Sequence, residues 1–278
     1  MRGTGRGENQ MNFIRMGCAL VLLQALGVSA AELEGAPLDP QQSFVLVSDV
    51  DDTLKITGVS SYHDLISHWY YGTGTFLGMS ELYQELLPRT EKLVYLSGSP
   101  QSLEKSLRTL LITTERFPEG EFILSNWFYW EKTEKFKRRE LAQLSKRFEN
   151  SLFLLVGDDT QQDPEVFLEF QKAHPDLLSI YIHRVTGRAL PENVKTFSTA
   201  YEMALLEFEA GRLDQHQVSR VGEIIAQAST KERIFPDHIP CPEKSELTLG
   251  PKAAKTPDLI SLNERVGSNI QKMCKTEN

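Results

Sequence analysis

The chain has 278 residues, 40% hydrophobic and 24% charged, a balance ordinary for a globular protein and enough to bury a substantial core. That composition excludes collagen-like, low-complexity and mainly disordered chains. A formal charge of −8 excludes nucleic-acid binding through a general basic surface.

Residues 16–28 form an apolar run behind Arg15, followed by Ser29-Ala30-Ala31. A basic flank, an apolar stretch of this length and a small-residue end make the pattern of a secretory signal peptide, and the run is short for a membrane span. The expectation is an exported chain, periplasmic or secreted, with a signal peptide (1–30), a main domain (31–235) and a proline-containing tail (236–278). Cleavage after Ala30 removes Arg2, Arg6, Arg15 and Glu8, a net +2, which takes the mature chain to about −10.

Phe44-Val45-Leu46-Val47 is the first of five short, almost wholly apolar runs. The others are Leu93–Leu96, Phe122–Leu124, Leu152–Val156 and Leu178–Ile182. Such runs suit strands buried on both faces, and helical periodicity between several of them predicts an α/β fold with a Rossmann-like, mostly parallel sheet.

The first run ends in Ser48-Asp49-Val50-Asp51-Asp52-Thr53. Carboxylates two residues apart at the carboxyl end of a buried strand sit where open α/β sheets bind their ligands. One such aspartate can attack phosphorus, and its neighbour can give and take the leaving-group proton. Both are also hard oxygen ligands for Mg²⁺. A solvated acidic turn has the same local sequence. Between Thr57 and Gly78 lie Tyr62, Trp69, Tyr70, Tyr71 and Phe76, in a stretch too short for a separate cap domain. These aromatics line an open site or form local core. His63 and His68 lack a metal-ligand spacing.

The second run ends in Ser97-Gly98-Ser99-Pro100. Ser97 is expected to offer its hydroxyl to a phosphate, and Ser99 before proline to cap a helix. Lys132, Lys135, Lys137, Arg138 and Arg139 precede a helix patterned by Leu141, Leu144 and Phe148. Most of such a charge run is solvated face. One ammonium beside the aspartates would neutralise a transferring phosphoryl group, with Lys137 placed best and Lys135 behind it.

The fourth run leads into Gly157-Asp158-Asp159-Thr160, then Asp163-Pro164-Glu165. Asp158 repeats the strand-end geometry and would complete an oxygen-rich Mg²⁺ site with Asp49 and Asp51. Asp163 carries a helix N-cap signature and is expected, with Asp159, behind the ligands. Beyond Pro191 no further strand is expected. Tyr201, Leu205 and Phe208, then Val218, Val221, Ile225 and Ala228, predict two amphipathic helices. Pro236, Pro240, Pro242, Pro251 and Pro257 predict an extended tail. Cys241 and Cys274 survive signal cleavage, either as one disulfide or as two independent thiols.

Together, SDVDDTLKITGV (48–59), GMSELYQEL (78–86), YLSGSP (95–100), FPEGEF (117–122), FKRREL (136–141), VGDDTQQDPEVF (156–167) and IYIHRV (180–185) resemble the haloacid dehalogenase-like superfamily. More narrowly, they resemble the actin-patch-protein type of phosphatidate phosphatase catalytic domain. The resemblance implies Asp49 as nucleophile and Asp51 as acid/base. It implies Ser97 as the phosphate-binding hydroxyl, Lys137 as the stabilising lysine and Asp158 as an acidic Mg²⁺ ligand. Asp159 stands where the family commonly has Ser, which leaves Asp158 or Asp159 to face the metal. His183 stands where Arg is usual. The expected activity is an Mg²⁺-dependent phosphomonoesterase working through an aspartyl-phosphate on a phosphatidate-like lipid, with transient membrane-surface contact and no nucleic acid. An exported acid phosphatase acting on small soluble phosphates is the alternative. A silent phosphate- or lipid-binding domain has no support, since both aspartates of the DxD motif are present.

Overall fold

Alternate residues of the apolar runs face opposite ways, and that places a layer of helices on each side of them. In the first strand Phe44 and Leu46 join one buried cluster while Val45 and Val47 join another, the period-2 geometry of a strand with both faces covered. A computed structural model describes residues 42–57, 74–126, 131–175, 178–191, 194–242 and 248–275. The signal-peptide segment and the aromatic stretch from Tyr62 to Tyr71, with His63 and His68, lie outside the described residues.

The strands are β1 (Phe44–Ser48), β2 (Thr90–Pro100), β3 (Glu121–Ser125), β4 (Leu152–Asp158), β5 (Leu178–His183) and β6 (Lys195–Phe197). They pair in the order β3-β2-β1-β4-β5-β6, every pair parallel. The five apolar runs thus become the first five strands of an open α/β sheet with Rossmann-like order. The helices are α1 (Met79–Leu86), α2 (Glu104–Arg108), α3 (Thr133–Arg147), α4 (Asp163–Ala173), α5 (Ala200–Glu209), α6 (Gln215–Ala226) and α7 (Pro257–Lys275). Phe136, Leu141 and Leu144 of α3, with Val166, Phe167 and Phe170 of α4, pack against Val45, Val47, Phe153 and Leu155 on one face. Helices α1, α2 and α5 to α7 supply the larger cluster on the other.

Two expectations are corrected. A sixth strand does follow Pro191: Lys195-Thr196-Phe197 pairs with Tyr181–His183. It escapes sequence reading because only Phe197 is buried, as befits a short edge strand. The proline-containing tail is not simply extended. It ends in α7, whose Leu259, Leu262, Val266, Ile270 and Met273 form a buried stripe at helical spacing. Gly222 of α6 lets it dock, since a Cβ there would lie 2.7 Å from Leu262 and 2.8 Å from Tyr201. Cys241 and Cys274 are joined in a disulfide, with Cα atoms 6.1 Å apart.

Candidate active site

Strand order reverses between β1 and β4, the position where open α/β sheets form a crevice at their carboxyl ends. Ser48 pairs with Val156, and the Asp49 N–H donates to the Val156 carbonyl at 2.8 Å. Asp49 and Asp158 therefore leave adjacent strands side by side. After Asp49 the chain turns sharply. The N–H groups of Leu54 and Lys55 both reach the Val50 carbonyl at 2.9 Å, and Asp52 adopts a left-handed φ of 55°. Aspartate tolerates that region better than most residues, and the Asp52 carboxylate secures the turn by accepting the Thr57 N–H at 3.0 Å. His183 donates from Nδ1 to the Asp52 carbonyl at 2.8 Å. Its ring is wedged between Phe76, edge-on at 4.5 Å, and Phe197, stacked at 5.1 Å. Phe76 is thus local core.

Four buried charges meet at this end of the sheet. Lys137 Nζ donates to Asp49 Oδ1 at 2.7 Å and to Asp163 Oδ1 at 2.5 Å. Thr53 Oγ1 lies 3.2 Å from Asp49 Oδ2 and 3.3 Å from Asp158 Oδ2. Asp158 Oδ1 accepts the Thr160 N–H at 2.6 Å and also the Thr160 hydroxyl. Burial pushes the Asp49 carboxyl well above its usual range against the pull of Lys137, and Asp163, Asp158 and Asp51 add to the push. Burial and then Asp163 raise Asp158 to about 7. Lys137 stays protonated: burial opposes its charge, but Asp163 and Asp49 outweigh burial and raise its pKa.

Asp163 does not cap α4. The helix starts on it after Gln162, no side chain among the described residues caps that end, and its Oδ1 is taken by Lys137. Gly157 makes this possible, because a Cβ there would sit 2.5 Å from Asp163 Oδ2. Ser99 does not cap a helix either. Pro100 holds the cap position, while the Ser99 hydroxyl donates to Asp51 Oδ2 at 2.8 Å. Ser97 donates to the same oxygen at 3.1 Å, and its own oxygen accepts the Ser99 N–H at 3.0 Å. Lys55 Nζ stands 3.6 Å from Asp51 Oδ1. Asp51 thus sits against β2, apart from the group formed by Asp49, Asp158 and Asp163.

Asp159 points elsewhere. Its carboxylate accepts the N–H groups of Val185, Thr186 and Gly187 at 2.8, 2.7 and 3.1 Å, anchoring the loop after β5. Of the basic run, only Lys137 enters the cluster. Arg138 pairs with Glu169 at 2.7 Å, Arg139 pairs with Glu131 and Glu140, and Lys135 remains outside. Sequence reasoning misses Thr53, Ser99 and Lys55 as site residues. Thr53 and Lys55 carry a signal, since both stand within or beside the DxDDT stretch, whereas Ser99 is masked by an equally good capping signature.

Carboxylate oxygens of Asp49, Asp158 and Asp163 lie within 4.8 Å of one another. Among the described residues, Asp163 Oδ2 and Asp51 Oδ1 are buried without a hydrogen-bond partner. One lysine cannot balance three buried carboxylates, so an all-oxygen, anionic cluster with a spare acceptor fits a hard divalent cation. The family described as phosphatidate phosphatase APP1, catalytic domain, matches residues 44–184, just over half of the chain. No curated protein matches the chain.

Proposed function

The chain belongs to the phosphatidate phosphatase APP1 catalytic-domain family, and from that premise we propose an Mg²⁺-dependent phosphomonoesterase that works through an aspartyl-phosphate. The observation that carries this reading is Asp49, buried at the end of β1 with Lys137 Nζ at 2.7 Å and Asp158 across a shared Thr53 hydroxyl.

Asp49 attacks phosphorus in line, and the bond to the leaving oxygen breaks as Asp51 gives that oxygen a proton. Asp51, now a carboxylate, takes a proton from water, which attacks phosphorus and restores Asp49. The Ser97 and Ser99 hydroxyls hold Asp51 in place. Lys137 stabilises charge on the phosphoryl oxygens, and the Ser97 hydroxyl can join it only by turning from Asp51, which Ser99 then holds alone. A cation held by Asp49, Asp158 and Asp163 would supply further positive charge at those oxygens. Phosphatidate-like lipids are the substrate class, supported by the family and by a 57–78 stretch too short for an enclosing cap. Export is supported by the apolar run 16–28 and by the disulfide.

Asp49→Asn keeps the shape of the side chain and removes the nucleophile. Turnover of dispersed phosphatidate and of an aryl phosphate should fall to background with the circular-dichroism spectrum unchanged. Substantial activity in that variant would eliminate the covalent mechanism.

A further inference from the structure

A cavity of about 630 Å³ lies at the carboxyl edge of β5 and β6, within the size range of small-molecule sites. Phe197, Leu205, Leu206, Pro240, Pro242 and Leu249 give it apolar walls. Arg184 lines it as well. The Arg184 Nε is buried with no hydrogen-bond partner among the described residues. Its nearest carboxylate oxygen, Asp159 Oδ2, is 3.7 Å away and already accepts the Gly187 N–H. Two acids also line the cavity, and both are committed to backbone donors. Glu202 accepts from Ser198 and Thr199 at the start of α5, and Glu209 accepts from Lys252 and Ala253. Their charges disfavour a polyanion such as phosphate. The buried Nε faces Asp159, so an apolar body carrying one oxygen acceptor matches the walls and the outer nitrogens of the part-exposed Arg184 guanidinium.

We infer that this cavity binds one fatty-acyl chain, whose carbonyl or carboxylate oxygen accepts from Arg184. It backs onto the aspartate loop through His183, which donates to the Asp52 carbonyl while its Nε2 faces the Ser198 carbonyl at 3.3 Å on the cavity side, and His238, ahead of the Pro240 wall, stands 3.7 Å from Asp52 Oδ1. Apart from Arg184, every lining residue falls outside the matched segment 44–184. The catalytic half is therefore common to the family, and the acyl-chain site is built from residues C-terminal to that half. The disulfide ties the Pro240–Pro242 wall to α7. The acyl chain belongs either to the phosphorylated substrate or to a free fatty acid, and only the choice between these rests on the phosphatase reading.

Titration calorimetry of the oxidised protein with saturated fatty acids of increasing length tests the site. One chain should bind per protein, and affinity should rise about threefold to fourfold per methylene. Leu206→Trp, which fills the cavity from a partly exposed position, should weaken binding roughly tenfold or more. Arg184→Gln should cost a fatty acid roughly tenfold and leave the alcohol of equal length unchanged. Both variants should keep their unfolding midpoint and their hydrolysis of a soluble aryl phosphate. Inhibition by laurate of a monoacyl phosphomonoester, with the aryl phosphate spared, assigns the chain to the substrate; inhibition of neither assigns it to free fatty acid, and either result upholds the site. Absence of saturable binding, or binding indifferent to chain length and to both variants, overturns it. Failure to hydrolyse any phosphomonoester would instead strike the phosphatase reading and leave the binding result standing.

Discussion

Asp158 and Asp159 are neighbours with opposite tasks; strand-end position favoured Asp158 for the metal, while Asp159 in place of the family's Ser left the choice open. Alternation along β4 turns one carboxylate into the acidic cluster and the other to the amides of the next loop. Asp159→Ala should therefore unfold more easily, by about 1–3 kcal/mol, because buried amides lose their acceptor. Asp158→Ala should instead raise the Mg²⁺ concentration needed for turnover or abolish it, with little change in the urea midpoint. If the two effects are exchanged, the assignment is off by one residue. His183 makes a third test at this scale. Burial lowers its pKa below the ordinary 6.5, so the folded state holds it neutral where the unfolded chain would take a proton. Its contribution to stability is present above 6.5 and declines as pH falls. The stability gap between wild type and His183→Gln, read by urea unfolding, should accordingly narrow between about pH 8 and pH 5.

At the scale of elements, legibility followed burial. The runs in β1 to β5 were readable because helices cover both faces, which makes nearly every position apolar. The strand-end aspartates were readable for the same reason, as abrupt charge after an apolar run. β6 was not, since an edge strand of three residues needs one buried side chain only. The stripe of α7 was present in the sequence but lay behind five prolines that argued for irregular chain. Ser99 shows a different limit: a capping signature and a hydroxyl aimed at Asp51 look identical without the third dimension. The disulfide couples these late elements by closing a loop of sequence separation 33. Replacing both cysteines by serine should cost about 4 kcal/mol in the chain-entropy model, measured as a shift in denaturant midpoint against the oxidised protein.

Over the whole molecule, charge and substrate pull against each other. A chain of net charge −8 is repelled by an anionic bilayer, so work at a lipid surface requires cations gathered beside the site. Lys132 and Lys137 line one recess of about 240 Å³ with Asp163, which puts the 132–139 run at the mouth of the acidic cluster. Its members are not equivalent. Arg138 is held by Glu169 and Arg139 by Glu131 and Glu140, so their fields are largely cancelled. Lys132 and Lys135 form no ion pair among the described residues, which leaves their ammonium groups to an anionic surface. Each such lysine contributes about 1 kcal/mol near a membrane, and salt screens it within about 10 Å at 0.1 M. Replacing both lysines by glutamine should lower activity on phosphatidate-containing vesicles roughly tenfold or more at low salt. The loss should shrink as salt is added, and hydrolysis of a soluble aryl phosphate should change far less. The matching double replacement of Arg138 and Arg139 should leave the ratio of vesicle to soluble activity nearly where it was. Equal losses on the two substrates, or a larger effect from the arginines, would show that the run stabilises the fold and does not attract a membrane.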